Sequence, residues 1–341
     1  MRTPHSLSTL VAGSLLLGAC HGVLAAENNE VAVPFGLWGM DSAILPLSGW
    51  YGQVLVPSYR ADHAKDTNGN DVTFSKTVPG LPGAITGTVD AHIKVDAIIP
   101  KLVYVSGDPV LRGRIGGYVA LPLLDKSRDI SVTIDPAMPL PLATRQAIGQ
   151  AASQAASGNK RGMGDVEVAA FIGWKFENLS VVTALNVDLP TGKFDRNSQV
   201  NLGMNSYSFR PLVSAAWSTE SGFDLAASLC YNYSTANRDT DYKSGQYVHL
   251  EYIGTYQFPS NLKVGVQGYL LHQTTDDRDP AGSSVLPLIN GNRAHVVALG
   301  PVLSYQTENL KNQVEFKYLR EFSARGRPQG GLLLLSYGRL F

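Results

Sequence analysis

The stretch Gln246-Tyr-Val-His-Leu-Glu-Tyr-Ile-Gly-Thr-Tyr-Gln257 alternates apolar and polar side chains almost without a break. In an extended strand, successive side chains point to opposite faces. One face then collects Val248, Leu250, Tyr252 and Tyr256, and the other collects His249, Glu251, Thr255 and Gln257. The stretch therefore predicts a β-strand with one apolar and one polar face.

Eleven further stretches show the same alternation, so that the chain carries twelve candidate strands. They are Trp50–Tyr59, Asp90–Val105, Arg112–Leu123, Gly164–Lys175, Leu179–Leu189, Ser206–Trp217, Phe223–Asn232, Gln246–Gln257, Lys263–Thr274, Arg293–Gln306, Gln313–Glu321 and Gly331–Phe341. The links between them alternate between long and short, which is typical of transmembrane β-barrels with long extracellular loops and short periplasmic turns. The sequence thus predicts an all-β fold, a transmembrane antiparallel β-barrel of about 12 strands in a bacterial outer membrane.

A soluble β-sandwich would show the same alternation, so the position of the aromatic residues is needed to choose between the two folds. Tyr207, Trp217, Phe223 and Tyr256 stand near the ends of their strands. Aromatic residues gather at both membrane interfaces of a barrel, whereas the core of a sandwich would hold them mid-strand. This placement favours the barrel.

The charge balance excludes several classes of function. Lys plus Arg and Asp plus Glu both number 28, which leaves no basic field for nucleic acid. The sequence contains no phosphate-binding glycine loop and no cluster of zinc ligands. We therefore expect no cofactor, no metal and no catalytic residue, and the chain is not expected to be an enzyme.

The N-terminus has the features of a secretion signal over residues 1–25: Arg2, an apolar core from Leu10 to Ala19, and the small-residue site Val23-Leu-Ala25. An alternative is lipidation of Cys20, because Leu17-Gly-Ala-Cys20 resembles a lipoprotein processing site. After the signal, we expect a periplasmic segment over 26–49 and the barrel over 50–341.

In a barrel, the polar face of each strand lines the lumen. That face is predicted to carry Arg112, Arg114, Arg210, Lys94, Lys317, Asp96, Asp165, Glu167, Asp188, Glu251, Glu315 and Glu321. The first candidates for contact with a solute are Arg112, Arg114, Arg210, Glu251, Gln267, Tyr269, Gln273 and Lys317. An interior that is merely water-filled or salt-bridged, without a role in selectivity, is the alternative.

Two features bear on whether the lumen is open. The segment Pro141–Gly158 has apolar residues at helical spacing between proline and glycine, so a short helix is expected in the loop 124–163 as a plug or lid. Pro301 removes a hydrogen-bond donor from its strand, and it is a candidate for a weak point through which a hydrophobic solute could leave sideways.

Several pieces of the chain resemble a family of outer-membrane proteins named for the MetA pathway of phenol degradation, also known as the SphA-like group. They are Pro46-Leu-Ser-Gly-Trp-Tyr51, Asp66-Thr-Asn-Gly-Asn-Asp71, Asn201-Leu-Gly-Met-Asn-Ser-Tyr-Ser-Phe-Arg-Pro211, Asp241-Tyr-Lys-Ser-Gly245 and Gln273-Thr-Thr-Asp-Asp277. The resemblance implies an outer-membrane barrel that passes hydrophobic or aromatic small molecules. Its expected partners are outer-membrane lipid and lipopolysaccharide, a small-molecule solute and the barrel-assembly machinery.

The main prediction is thus an outer-membrane channel for passive diffusion of small molecules, and two alternatives stay open. An outer-membrane lipid hydrolase would need a serine beside His272, which has the parity of the membrane face, yet no serine with a recognisable flanking motif stands near it. A plugged barrel with a surface-binding role is the other. Asp66, Asn68 and Asn70 have the spacing of a calcium loop, but the required glycine is missing, and an exposed turn is the preferred interpretation.

Overall fold

The computed structural model describes residues 34–77, 83–280, 293–309 and 311–341. The predicted signal peptide and Cys20 lie outside the described residues. The strands are β1 (Gly49–Lys65), β2 (Val72–Thr77), β3 (Ala84–Val110), β4 (Gly113–Ala120), β5 (Leu123–Ile134), β6 (Gly158–Met163), β7 (Val166–Phe176), β8 (Leu179–Leu189), β9 (Ser208–Ser218), β10 (Phe223–Ser234), β11 (Tyr247–Gln257), β12 (Leu262–Gln273), β13 (His295–Gln306), β14 (Asn312–Arg325) and β15 (Arg327–Leu340). One α-helix, α1 (Leu142–Ala156), and a short 3₁₀ helix (Met40–Ser42) complete the described elements. None of the described helices is both long and apolar enough to span a bilayer.

Twelve of the strands form a closed antiparallel barrel, as the sequence predicted. Strand β1 pairs with β15 along one edge and with β3 along the other, which closes the sheet. The order around the wall is β1-β15-β14-β13-β12-β11-β10-β9-β8-β7-β4-β3. Closure leaves no free sheet edge in the wall, as a strand protein in lipid requires.

The wall carries apolar side chains on its outer face and polar side chains on its inner face, the reverse of a soluble protein. On β10 the apolar Phe223, Leu225 and Leu229 point outward and are half exposed, whereas the polar Asp224 and Ser228 point inward and are buried. Outward apolar residues of this kind occur around the whole wall. Exposing such a band to water would be unfavourable, whereas hydrocarbon accommodates it. The band identifies the barrel as membrane-spanning.

The wall continues beyond the membrane on one side. Strand β3 spans 27 residues, and its extracellular half pairs with β2 and β5, while β5 pairs with β6. Helix α1 packs Ile148 and Ala152 on the inward face of this extension, against Ile130 and Val132 of β5. The predicted helix in the 124–163 loop is therefore confirmed. The two flanking strands, β5 and β6, were not predicted.

Lys94 and Asp96 point away from the lumen, which corrects the sequence prediction. Both lie on the outward face of β3, where Asp96 forms ion pairs with Arg60 at 2.7 Å and with Lys94 at 3.1 Å. The prediction assumed that the polar face of every strand lines the lumen. This assumption holds only for the part of a strand that lies within lipid, because above the membrane the outward face of the strand meets water.

The wall is closed at Pro301. Strands β13 and β14 are paired on both sides of it, through Leu299 with Arg320 and Val302 with Lys317. At the adjacent Gly300, an added Cβ would lie only 1.8 Å from the carbonyl oxygen of Tyr318. The two strands are therefore in close contact here, and the structure has no sideways opening at this point.

Candidate functional site

A cavity of about 540 Å³ runs through the barrel. At the periplasmic end it is bounded by Gln306, Lys311 and Arg339, and at the extracellular end by Ser206 and Ser244. Between these ends its wall is formed by inward side chains of β1, β3, β4 and β7–β11. The cavity is thus one continuous space that reaches residues near both mouths.

Residues 34–48, here called the lumen segment, lie inside the barrel. The Gly36 N–H donates to Glu251 at 2.8 Å. The Trp38 carbonyl accepts from the Gln267 amide at 2.6 Å and from the Lys317 ammonium at 2.9 Å. For these residues the prediction of a periplasmic segment over 26–49 is wrong, because the hydrogen-bonding partners of the segment lie on the inward wall.

The lumen segment fills one side of the barrel and leaves the other open. Phe35 packs against the rings of His249, Tyr247 and Tyr269, at centroid distances of 4.6, 5.7 and 6.0 Å. It also belongs to a buried apolar cluster with Leu319 of β14. The side of the barrel formed by β12–β15 is therefore occupied, and the cavity passes along the side formed by β3, β4 and β7–β10.

Further along, the lumen segment crosses the barrel towards its periplasmic end. Met40 and Ala43 pack against Ala216 of β9, Ile253 of β11 and Val302 of β13. The Leu45 carbonyl then accepts a hydrogen bond from Arg114 of β4 at 3.3 Å. The segment therefore narrows the lumen before it joins β1.

The open side of the cavity contains a cluster of charged and polar groups centred on Arg210. Its guanidinium forms ion pairs with Glu167 and, at 2.8 Å, with Asp188. The Tyr118 hydroxyl hydrogen-bonds to Glu167 and, at 3.0 Å, to Asn186. Within the described residues, the Arg210 Nε is buried without a hydrogen-bond partner.

A second cation completes the cluster. The Lys101 ammonium lies 3.8 Å from the centre of the Tyr118 ring. Two cations, Lys101 and Arg210, therefore balance two carboxylates, Glu167 and Asp188. The cluster therefore carries no net charge and produces no strong field of either sign.

Apolar side chains face the same space as the Arg210 cluster. Phe171, Val182 and Leu212 line it from the wall, and Leu37 and Trp38 line it from the lumen segment. The cavity therefore combines apolar surface with polar groups, the composition typical of small-molecule sites.

The structure separates the eight predicted solute contacts into groups. Arg210 and Glu251 line the cavity. Gln267, Tyr269 and Lys317 are almost wholly buried under the lumen segment, where Tyr269 donates to Glu321 at 2.6 Å. The role of these residues in solute selection stays a prediction.

The other three predicted residues lie towards the two ends of the barrel. Gln273 is at the extracellular end, where it donates to Asp277 at 2.8 Å, and Arg114 holds the base of the lumen segment. Arg112 is not in the lumen. It occupies the exposed periplasmic turn between β3 and β4, in a left-handed conformation with φ of 63°. A two-residue turn needs such a conformation, which takes Arg112 out of the strand alternation.

Sequence reasoning did not select Tyr118, Asn186 and Lys101. Each has the inward parity of its strand, which was the one signal available. Their proximity depends on the register between β4, β7 and β8, which pairs Ala120 with Glu167 and Glu167 with Asp188.

The structure also shows the residues considered for a lipid hydrolase and for a calcium loop. His272 points outward and lies opposite His295, with ring centres 5.9 Å apart, and no serine among the described residues hydrogen-bonds to it. The Asp66 carboxylate accepts the N–H groups of Asn68 and Asn70, each at 2.8 Å, as in an ordinary Asx turn. No group of described residues has the arrangement of a metal site.

The model of one protein family matches residues 61–337, and its description reads "Putative MetA-pathway of phenol degradation". No curated protein matches the sequence. Among solved structures, an outer membrane channel from Pseudomonas putida F1 is similar in fold, with a TM-score of 0.68 at 15% identity, over 89% of this chain and 100% of that chain. The beta domain of a Bordetella autotransporter has a TM-score of 0.47 at 9% identity, over 86% of this chain and 100% of that chain. The closed barrel, its apolar band and the first of these likenesses indicate the bacterial outer membrane as its location.

Proposed function

The chain belongs to the family described as "Putative MetA-pathway of phenol degradation", and we propose that it is a channel for passive diffusion of small molecules across the outer membrane. The observation that carries the proposal is the continuous cavity between the lumen segment and strands β3, β4 and β7–β10. A space that reaches both ends of a membrane-spanning barrel supports movement along a gradient without coupling to an energy source.

The lining of the cavity supports small solutes with an apolar body and one polar group, such as neutral phenols. Phe171 and Trp38 offer aromatic surface, while the Arg210 cluster offers hydrogen bonds. A simple ion would exchange its hydration for a balanced cluster that is already paired, which costs free energy. A phenol would bury its ring and keep its hydroxyl hydrogen-bonded.

The proposal is tested by solute entry into liposomes that carry the refolded protein. Sugars, amino acids, aromatic acids and neutral phenols are compared, with heat-denatured protein as the control. We expect the fastest entry for the neutral phenols. Equal entry of sugars and phenols would contradict the solute class, and no entry of any solute would contradict the channel.

A pair of variants assigns the route. Ala184 lines the cavity, and Ala227 lies on the outward face of β10. The variant Ala184→Trp fills the cavity and should slow phenol entry, whereas Ala227→Trp places the same side chain in lipid and should leave entry unchanged. Equal entry through both variants would mean that solutes take another route.

A further inference from the structure

Three basic residues on different strands stand at one level of the outward face. Arg60 of β1 lies directly opposite Lys94 of β3. On its other side, Arg60 lies opposite Gly331 of β15, and Gly331 lies opposite Arg320 of β14. Lys94, Arg60 and Arg320, here called the basic row, thus span four neighbouring strands, with a glycine between the two arginines.

The basic row lies near the extracellular border of the apolar band, and one exposed aromatic side chain, Phe322 of β14, lies beyond it. On three of the four strands, the nearest large outward side chains on the membrane side are Ile98, Tyr318 and Leu333, all exposed and apolar or aromatic. Trp50, at the periplasmic end of the band, precedes Arg60 by ten residues on β1. A tilted strand of that length rises about 25 Å, which is the height of the apolar band in outer-membrane barrels.

The charges of the row are only partly compensated. Asp96 forms ion pairs with Arg60 at 2.7 Å and with Lys94 at 3.1 Å. Arg320 is exposed and forms no ion pair within the described part of the chain. Three cations and one carboxylate leave an excess of two positive charges. The outward acidic residues Asp62 and Asp90 lie further from the membrane. Asp125 of β5, opposite Asp96, is neutralised by Arg161 at 2.8 Å, so the excess of the row remains.

The gap between the two arginines is shallow and contains a further donor. A Cβ added at Gly331 would lie 3.4 Å from the Tyr318 hydroxyl, so that hydroxyl reaches the level of the row. Two guanidinium groups, an ammonium and a phenolic hydroxyl are the groups that hold phosphate oxygens in proteins.

We propose that the basic row binds a phosphate group of lipopolysaccharide in the outer leaflet. Such a lipid presents phosphate at the level where its acyl chains end, and the basic row stands where the apolar band ends. Basic residues at a membrane border attract anionic head groups. Acyl chains of the same molecule would cover Ile98 and Leu333 below. The proposal requires only an outer-membrane location and does not depend on the channel function.

The test measures stabilisation of the folded barrel in detergent by three probes: lipid A with both phosphates, dephosphorylated lipid A, and inorganic phosphate. We expect the melting temperature to rise with phosphorylated lipid A alone. Replacement of the row (Arg60→Gln, Lys94→Gln, Arg320→Gln) should raise the half-saturating concentration about fivefold for each side chain replaced. The matched control replaces Arg112, Lys193 and Arg196, three exposed cations outside the row, with Gln and should bind as the wild type does.

Three results would overturn the proposal: equal stabilisation by dephosphorylated lipid A, equal stabilisation by inorganic phosphate, or unchanged binding in the row variant. Folding of each variant is checked by its heat-modifiable migration on gels. If the triple variant does not fold, Arg320→Gln alone is used, because this side chain has no ion pair to lose. It should still weaken binding about fivefold.

Discussion

Replacement of Lys317 by methionine should loosen the lumen segment and widen the pathway through the barrel. The Lys317 side chain is fully buried, and its ammonium donates to the Trp38 carbonyl at 2.9 Å and to Gln267 at 3.0 Å. Methionine keeps much of the volume but has no donor. The Gln267 amide still holds the Trp38 carbonyl in the variant, so the segment is weakened rather than released.

The contacts of Lys317 set the size of the effect. A hydrogen bond from a charged donor contributes about 1.5–3 kcal/mol, and only the bond to Trp38 joins Lys317 to the lumen segment. Loss of that bond should raise the population with a displaced segment by roughly ten- to a hundredfold, since each 1.4 kcal/mol is a factor of ten. The ion pair with Glu315, at 3.2 Å, lies within the wall, so its loss affects barrel stability instead.

Single-channel recording in planar bilayers measures this population as the fraction of time in a state of higher conductance. Lys263→Met is the matched control, because Lys263 pairs with Asp224 at 2.6 Å on the inward wall and makes no hydrogen bond or ion pair with the lumen segment within the described residues. We expect the wider state to become frequent in Lys317→Met and to stay rare in Lys263→Met. Equal traces from the two folded variants would refute the assignment of Lys317 as an anchor.

Three further predictions concern the wall and the extracellular loops. Gly300→Val should prevent barrel formation, because its Cβ would lie 1.8 Å from the Tyr318 carbonyl oxygen; heat-modifiable migration would reveal a folded variant and so contradict the close contact. Asp165 accepts hydrogen bonds from the N–H groups of Gly192 and Met204 in the 190–207 loop, at 2.8 and 2.7 Å. The variant Asp165→Ala loses this acceptor, so external protease should cleave the loop faster. An unchanged cleavage rate would contradict this role of Asp165. The Lys65 ammonium, which donates a hydrogen bond to Asp71, lowers the pKa of that exposed carboxyl. The contribution of this pair is present above the ordinary aspartate pKa and is lost as pH falls through the lowered value, so Lys65→Met should raise the Asp71 pKa seen by NMR, whereas an unmoved titration would exclude the pair.

The barrel was predictable because lipid and lumen impose opposite requirements on neighbouring residues. Strand β10 alternates Phe223, Leu225 and Leu229 with Asp224 and Ser228, and a chain in water has little reason to keep that pattern so regular. The helix α1 was predictable from local signals, namely its apolar spacing, the proline before it and the glycine after it.

The lumen segment could not be predicted, because its environment is created by the rest of the chain. Phe35 and Trp38 follow no strand or helix period, and their partners lie on β11, β12 and β14. The outward position of Lys94 and Asp96 was missed for another reason. The parity rule depends on lipid, and β3 extends past the lipid into water, where the same parity has the opposite meaning.

The lumen segment also has a consequence for the order of assembly. Trp38 and Lys317 are separated by 279 residues. The hydrogen bond between them therefore joins a part of the chain that is synthesised early to a part that is synthesised near the end. Contacts of such long sequence separation form late, because closing the intervening loop costs entropy. A nascent chain that ends before β14 has no Lys317 to offer, and its first strand, β1, also lacks its partner β15. Docking of the segment is therefore a final step that distinguishes a completed barrel from an unfinished one.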